Sequence, residues 1–192
     1  MTKSTITILA IVAFLVISIG GFFMWANGVY NKGIAYQEQV NASWGDVLAT
    51  YQRRADLIPN LVSTVKGAAE NEKSILLGVT QARAGLGNAK TPAQVEAYAQ
   101  KINTAINVVF EKYPEVKSTQ NFAELQAQLE GTENRINVSR QKYNDVVKDY
   151  NIHIRGFFRK MALNVFGDAN EFPRKEAFQA SAGAENAPKV QF

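Results

Sequence analysis

Near its start the chain carries an apolar run that no charged residue interrupts. From Ile6 to Trp25 it reads ITILAIVAFLVISIGGFFMW, twenty residues without a charge. At about 1.5 Å of rise per residue, a helix of that length spans about 30 Å, the thickness of a bilayer's hydrocarbon core. Phe22, Phe23, Trp25 and Tyr30 gather at its C-terminal end, where aromatic rings favour the headgroup boundary. A cleaved signal peptide is the competing reading. Its apolar region is usually only about 7–15 residues long and ends at small residues, whereas bulky Met24 and Trp25 stand here. The pattern predicts an uncleaved single-pass anchor over residues 6–26, with 1–5 as a short flank.

Beyond the anchor, apolar positions recur with helical spacing. Val40, Trp44, Val47, Tyr51, Arg54 and Ile58 alternate steps of four and three, a heptad seam with one arginine in it. Pro59 breaks that helix or opens the next. Leu61, Val65, Ala68, Glu72, Ile75, Val79, Ala82 and Leu86 continue the spacing, and Gly85, Gly87 and Asn88 supply a stop. Thr91-Pro92 opens a third helix as N-cap and first turn. Its stripe runs through Val95, Ile102, Ile106 and Val109 to Tyr113-Pro114. A fourth and longest helix is predicted from about Thr119 to Phe158, with a seam from Phe122 and Leu125 to Tyr150 and Ile154. No strand pattern with a period of two competes with it.

The expected fold is all-α: an N-terminal single transmembrane helix followed by an antiparallel, coiled-coil-like bundle of about four long helices. The bundle occupies residues 30–166. Residues 167–192 form a C-terminal extension whose last dozen residues read as disordered. If helices leave and return to the membrane alternately, the segment after Ile154 comes back near the bilayer. It reads RGFFRKMALNVF, then FPRKEAF. Trp25, Arg155, Phe158, Arg159, Lys160 and Phe166 are therefore candidates for the membrane interface, the C-terminal five through a short amphipathic helix on anionic lipid. Capping the open end of the bundle is the alternative for that segment.

Composition narrows the chemistry. The chain has no cysteine and one histidine, His153, which excludes disulfides, thiolate sites and multi-histidine metal sites. Its net charge of +4 permits contact with anionic lipid and gives no argument for nucleic acid. No nucleophile–base pair, phosphate loop or nucleophile elbow occurs. Catalytic residues, cofactors and metal ligands are expected to be absent. The charged seam positions Arg54 and Glu72 read as register-setting pairs, or else as the lining of a small-ligand pocket. His153 reads as a solvent-facing or boundary residue. Tyr143-Asn144 and Tyr150-Asn151 lie seven residues apart and so recur on one face, where the asparagines are placed to hydrogen-bond across helices. With Trp44, Arg54 and Glu72 they are the candidate helix-interface residues.

Several stretches resemble the LemA family: the N-terminal apolar helix with Tyr30-Asn31, then Trp44, RRADLIPNLV from Arg53 to Val62, and Glu72 with the helix to Arg83. KYPEVKSTQNFAELQAQLEGTENRI from Lys112 to Ile136 and SRQKYNDVVKDYN from Ser139 to Asn151 continue it. The family often has Phe-Pro after the last Tyr-Asn. Here Phe157 is followed by Phe158, which leaves the end of the fourth helix open. The resemblance implies a bacterial, membrane-anchored helical protein with its bundle on the cytoplasmic side of the inner membrane. Charge flanking the apolar run does not decide orientation, so a periplasmic bundle is the alternative.

The expected function is a non-enzymatic, membrane-anchored scaffold that self-associates or binds an unidentified protein partner. It would touch lipid through residues 6–26, with no nucleic acid involved. A ligand or envelope-stress sensor, and membrane tethering by the basic aromatic C-terminal segment, are the alternatives.

Overall fold

A computed structural model of the chain describes residues 3–63, 69–112 and 120–179. Among them every regular element is helical and no strand occurs. In order they are α1 (Lys3–Asp56), α2 (Ile58–Ser63), α3 (Ala69–Gly87), α4 (Pro92–Lys112), α5 (Gln120–Arg155) and α6 (Phe157–Phe166). A 3-10 turn at Ala169–Glu171 and a segment without regular secondary structure, residues 172–179, follow.

The anchor and the first seam helix are one helix, 54 residues long. It is long and apolar enough to cross a membrane, and none of its most apolar window is buried. Isoleucine, leucine and phenylalanine point outward around the whole circumference there. A helix dressed in this way has no polar face to give to water. α1 ends at Asp56 because Pro59 lacks an N–H and its ring would strike the carbonyl four residues earlier. Leu57 N–H closes a turn on Arg54 O at 3.2 Å, and Pro59 falls in the first turn of α2, where it is tolerated.

The chain divides into two compact units, Met1–Asn41 with Val146–Lys175 and Ala42–Asp145 with Glu176–Phe192. In the second unit α1 and α5 run antiparallel. Asp46 pairs with Lys142 at 2.9 Å, the Thr50 and Ser139 hydroxyls lie 3.2 Å apart, and Arg54 pairs with Glu133. α3 packs along α4, and α2 touches both. The core of this unit holds Val47, Tyr51, Ile58, Val79, Leu86, Val95, Ile102, Val109, Leu129 and Ile136, most of them seam positions. In the first unit Ala26, Val40, Val147, Tyr150, Ile154, Ala162 and Leu163 are buried.

One helix boundary and two placements differ from the sequence pattern. The fourth helix stops at Arg155 rather than Phe158, because Gly156 takes an extended conformation (φ −60°, ψ 130°) and starts α6. Glycine's low helix propensity favours a break at that position. FPRKEAF is not part of a helix, and its two phenylalanines are buried. His153 is not solvent-facing, with 4% of its surface exposed. Thr91 does open α4, its hydroxyl accepting from Gln94 N–H at 3.3 Å. Val65, Ala68, Tyr113-Pro114, Thr119 and the last dozen residues lie outside the described residues, as do the side chains of Leu61, Glu72 and Phe122.

Candidate functional site

The first candidate surface is on the unit that carries the apolar run. α6 lies beside the stretch of α1 that follows it. The Phe166 ring sits 6.1 Å from Phe23 and 6.4 Å from Tyr30, and Leu163 lies against Gly33. Any side chain at position 33 would press on Leu163 and on the Phe172 ring, 3.1 Å from a built Cβ, so glycine is what lets α6 approach. Only Ala162 and Leu163 of α6 are buried. Phe157 (73%), Phe158 (70%), Met161, Val165 and Phe166 are exposed. Arg155, Arg159 and Lys160 are exposed with them, and Trp25 is half-exposed on α1. The predicted interface set is thus gathered on this one unit, with aliphatic, aromatic and basic groups together.

The second candidate is built on α5. The polar groups of the two Tyr-Asn pairs grip the backbone of residues 172–179, and the Tyr143 ring also packs on Trp44 of α1 at 5.2 Å. In the second unit Asn144 Nδ2 donates to Phe178 O at 2.9 Å and Phe178 N–H donates to Asn144 Oδ1 at 2.8 Å. Tyr143 OH donates to Glu176 O at 3.1 Å. The first unit repeats the arrangement. Asn151 Nδ2 donates to Lys175 O at 2.8 Å, Lys175 N–H donates to Asn151 Oδ1 at 3.1 Å, and Tyr150 OH donates to Pro173 O at 2.9 Å. A residue whose N–H and C=O both face one partner has the disposition of an extended strand. The carboxamide therefore stands where a neighbouring strand's backbone would. Burial pushes both tyrosine hydroxyls up to about 12, so they stay protonated donors at any physiological pH.

The ends of this segment are fixed by aromatic burial. Phe178 is stacked on Trp44 at 6.0 Å, meets Tyr143 edge-on at 5.5 Å, and lies under the Arg140 guanidinium at 4.9 Å. Arg140 also donates to Gln179 O at 3.0 Å and to Glu96 at 2.8 Å. Phe172 meets Tyr30 edge-on at 5.6 Å, and Tyr30 OH donates to Glu171. The sequence reading missed Arg140, Phe172 and Phe178. The available signal was two phenylalanines six apart in a stretch with no helical period, which composition alone assigned to a tail.

The remaining polar candidates are structural. Arg54 leaves the seam to pair with Glu133. It lines an open cleft with Asn107, Phe110 and Glu130 rather than a closed cavity. The Glu72 side chain lies outside the described residues. His153 is committed to Val29 O at 2.9 Å. A carbonyl only accepts, so the ring carries its proton on Nε2. Burial is the main cause holding its pKa below 6.5. No group of three or more His, Cys, Asp or Glu side chains placed to hold a metal ion occurs among the described residues.

A family model described as LemA family matches residues 43–192. The chain is also similar to a curated protein named Protein LemA from Metamycoplasma hominis. The two are 22% identical over 151 residues, covering 77% of this chain and 69% of that one. The match takes in α2 to α6, both clasps and the segment they hold, and it spans most of the sequence: the chain belongs to the LemA family.

Proposed function

We propose that this LemA family chain is a non-enzymatic scaffold, anchored in the bacterial inner membrane by residues 6–26, with its helical bundle in the cytoplasm and self-association as its mode of action. The observation that carries the reading is the single unbroken helix Lys3–Asp56. Its first part is apolar and exposed all round, and its last part supplies the buried face that meets α5. Anchor and bundle share one continuous helix, which suits a protein that holds others at a surface. Three titratable groups among the described residues are engaged within the fold. His153 serves a backbone carbonyl, and Arg54 and Arg140 are held in ion pairs.

The cysteine-free sequence makes the test direct. Single cysteines at exposed positions, Lys142→Cys and Gln128→Cys, are to be labelled in intact cells and in spheroplasts with a membrane-impermeant maleimide. Protection in both, with labelling only after lysis, is the expected result. Labelling in spheroplasts before lysis would put the bundle in the periplasm. Release of the protein from membranes by alkaline carbonate would refute the anchor.

A second reading concerns α6. Its exposed Phe157, Phe158 and Met161, with Arg159 and Lys160 beside them, favour contact with anionic lipid. Bimane attached at Met161→Cys should be quenched by spin-labelled lipid in liposomes, and bimane at Lys142→Cys should not. Equal quenching at the two sites would exclude the reading.

A further inference from the structure

Residues 172–179 are held in an unusual way for part of a folded chain. They belong to no helix or sheet, and their hydrogen bonds to α5 run through their own backbone. Between the two buried phenylalanines, Pro173, Arg174, Glu176 and Ala177 point to solvent. The segment thus meets α5 as a peptide ligand meets a receptor, with main-chain bonds giving affinity and two side-chain anchors giving selection.

We propose that each Tyr–Asn clasp of α5 is an exchangeable peptide-binding site, whose ligand in trans is the matching stretch of residues 172–179 of a second copy of this chain: Pro173 to Lys175 for Tyr150-Asn151 and Glu176 to Phe178 for Tyr143-Asn144. The inference rests on the self-association proposed above and names the surface that carries it.

The second copy is the favoured occupant for three reasons. Its segment already has the required chemistry: a phenylalanine for the Trp44, Tyr143 and Arg140 box, and another, six residues earlier, for the space above Gly33. Exchange of identical segments remakes the segment's own hydrogen bonds and ring contacts, so the free-energy difference is that of association and of the hinge before Phe172, as in other swapped assemblies. Release of the segment also requires no helix to unwind, because residues 172–179 belong to none. In cis the segment competes at an effective concentration of about millimolar. An isolated copy therefore keeps its own segment, and crowding of anchored copies in a membrane shifts the balance to exchange.

The test uses two full-length variants with different tags. In one, Phe172→Ser and Phe178→Ser remove the ligand and leave the clasps. In the other, Asn144→Leu and Asn151→Leu remove the clasps and leave the ligand. Both are reconstituted in the same liposomes, with circular dichroism confirming that each stays helical. The mixed pair is expected to co-purify about tenfold more than either variant with itself, and an excess of the synthetic peptide FPRKEAFQ should release it. Co-purification of the mixed pair no better than the like pairs overturns exchange. Self-association that survives unchanged in both variants also overturns it, while leaving the scaffold reading intact. If either double substitution unfolds the chain, Phe178→Ser against Asn144→Ala gives the same comparison within a single clasp.

Discussion

The side-chain amide of Asn144 satisfies both backbone groups of Phe178, donating to its carbonyl at 2.9 Å and accepting from its N–H at 2.8 Å. One side chain thus does for the C-terminal segment what a paired strand would do. Asn144→Ala leaves a buried residue with two unmet backbone groups, a loss of about 1–3 kcal/mol in local stability. The amide of Phe178 should then exchange with deuterium about 5- to 150-fold faster. Asn144→Asp keeps an acceptor for the N–H but faces the carbonyl with a carboxylate, and should be no better than alanine. Unchanged exchange at Phe178 in both variants would show that the aromatic box alone holds the segment.

The Arg54–Glu133 pair tests whether a charge in a seam has any role beyond packing. Arg54 is 15% exposed in its side chain and Glu133 is 49% exposed, so solvent screens the pair. Arg54 Nε has no hydrogen-bond partner. Glu133→Gln should cost less than about 1 kcal/mol in a chemical melt. Arg54→Met, which keeps the stem and removes the buried charge, should be neutral or stabilising. A large loss in Arg54→Met would mean that the guanidinium serves something other than the fold.

Gly85 on α3 leaves the space that the Tyr98 ring of α4 occupies. A Cβ built there collides with the Tyr98 ring. Gly85→Ala, normally favourable in a helix, should therefore destabilise the second unit by about 1–3 kcal/mol. In a Tyr98→Ala background the same change should be neutral or better, and a double-mutant cycle reads the difference. Additive losses would mean that Gly85 is needed for helix termination instead.

His153 makes stability depend on pH with a definite sign. Its folded pKa lies below the 6.5 of the free side chain, chiefly because burial disfavours the charged ring. Arg159 and Lys32 lower it further, while the bond to Val29 O raises it. Tyr36 packs against the ring at 5.3 Å, and Asp149 lines the same cleft. A depressed folded pKa means that the unfolded chain takes up the proton first. The contribution is complete above pH 6.5 and is lost as pH falls toward the folded value. Thermal melts of the wild type should show lower Tm from pH 7 to pH 5, and His153→Gln, which retains an N–H donor, should flatten that slope. A slope unchanged by the substitution would assign it to the carboxylates.

Much of the architecture was legible because it is periodic. Val40, Val47, Tyr51, Ile58, Val79, Leu86, Ile102, Ile136, Val147 and Tyr150 were read as seam positions and are buried. Burial of an apolar stripe on a helix depends on spacing that any window of the chain displays. Arg54 was legible as a polar seam residue, and its partner Glu133 was not. Ion pairs between helices are set by register, which spacing within one helix does not contain. His153 stands one place outside the seam, and only the approach of Val29 turns it inward. Gly156 was passed over because the apolar pattern continues through it, although the backbone does not.

The sequence by itself determined the helices, their apolar faces and the presence of a segment fit to cross a membrane. Each of these follows from residues close together along the chain. The tertiary structure alone decided where the Tyr-Asn pairs, Phe172 and Phe178 belong. Asn144 and Phe178 stand 34 positions apart, and a carboxamide reads main-chain groups that every residue carries. Recognition of that kind leaves no compositional trace, so it becomes visible only when the backbone is seen lying against it.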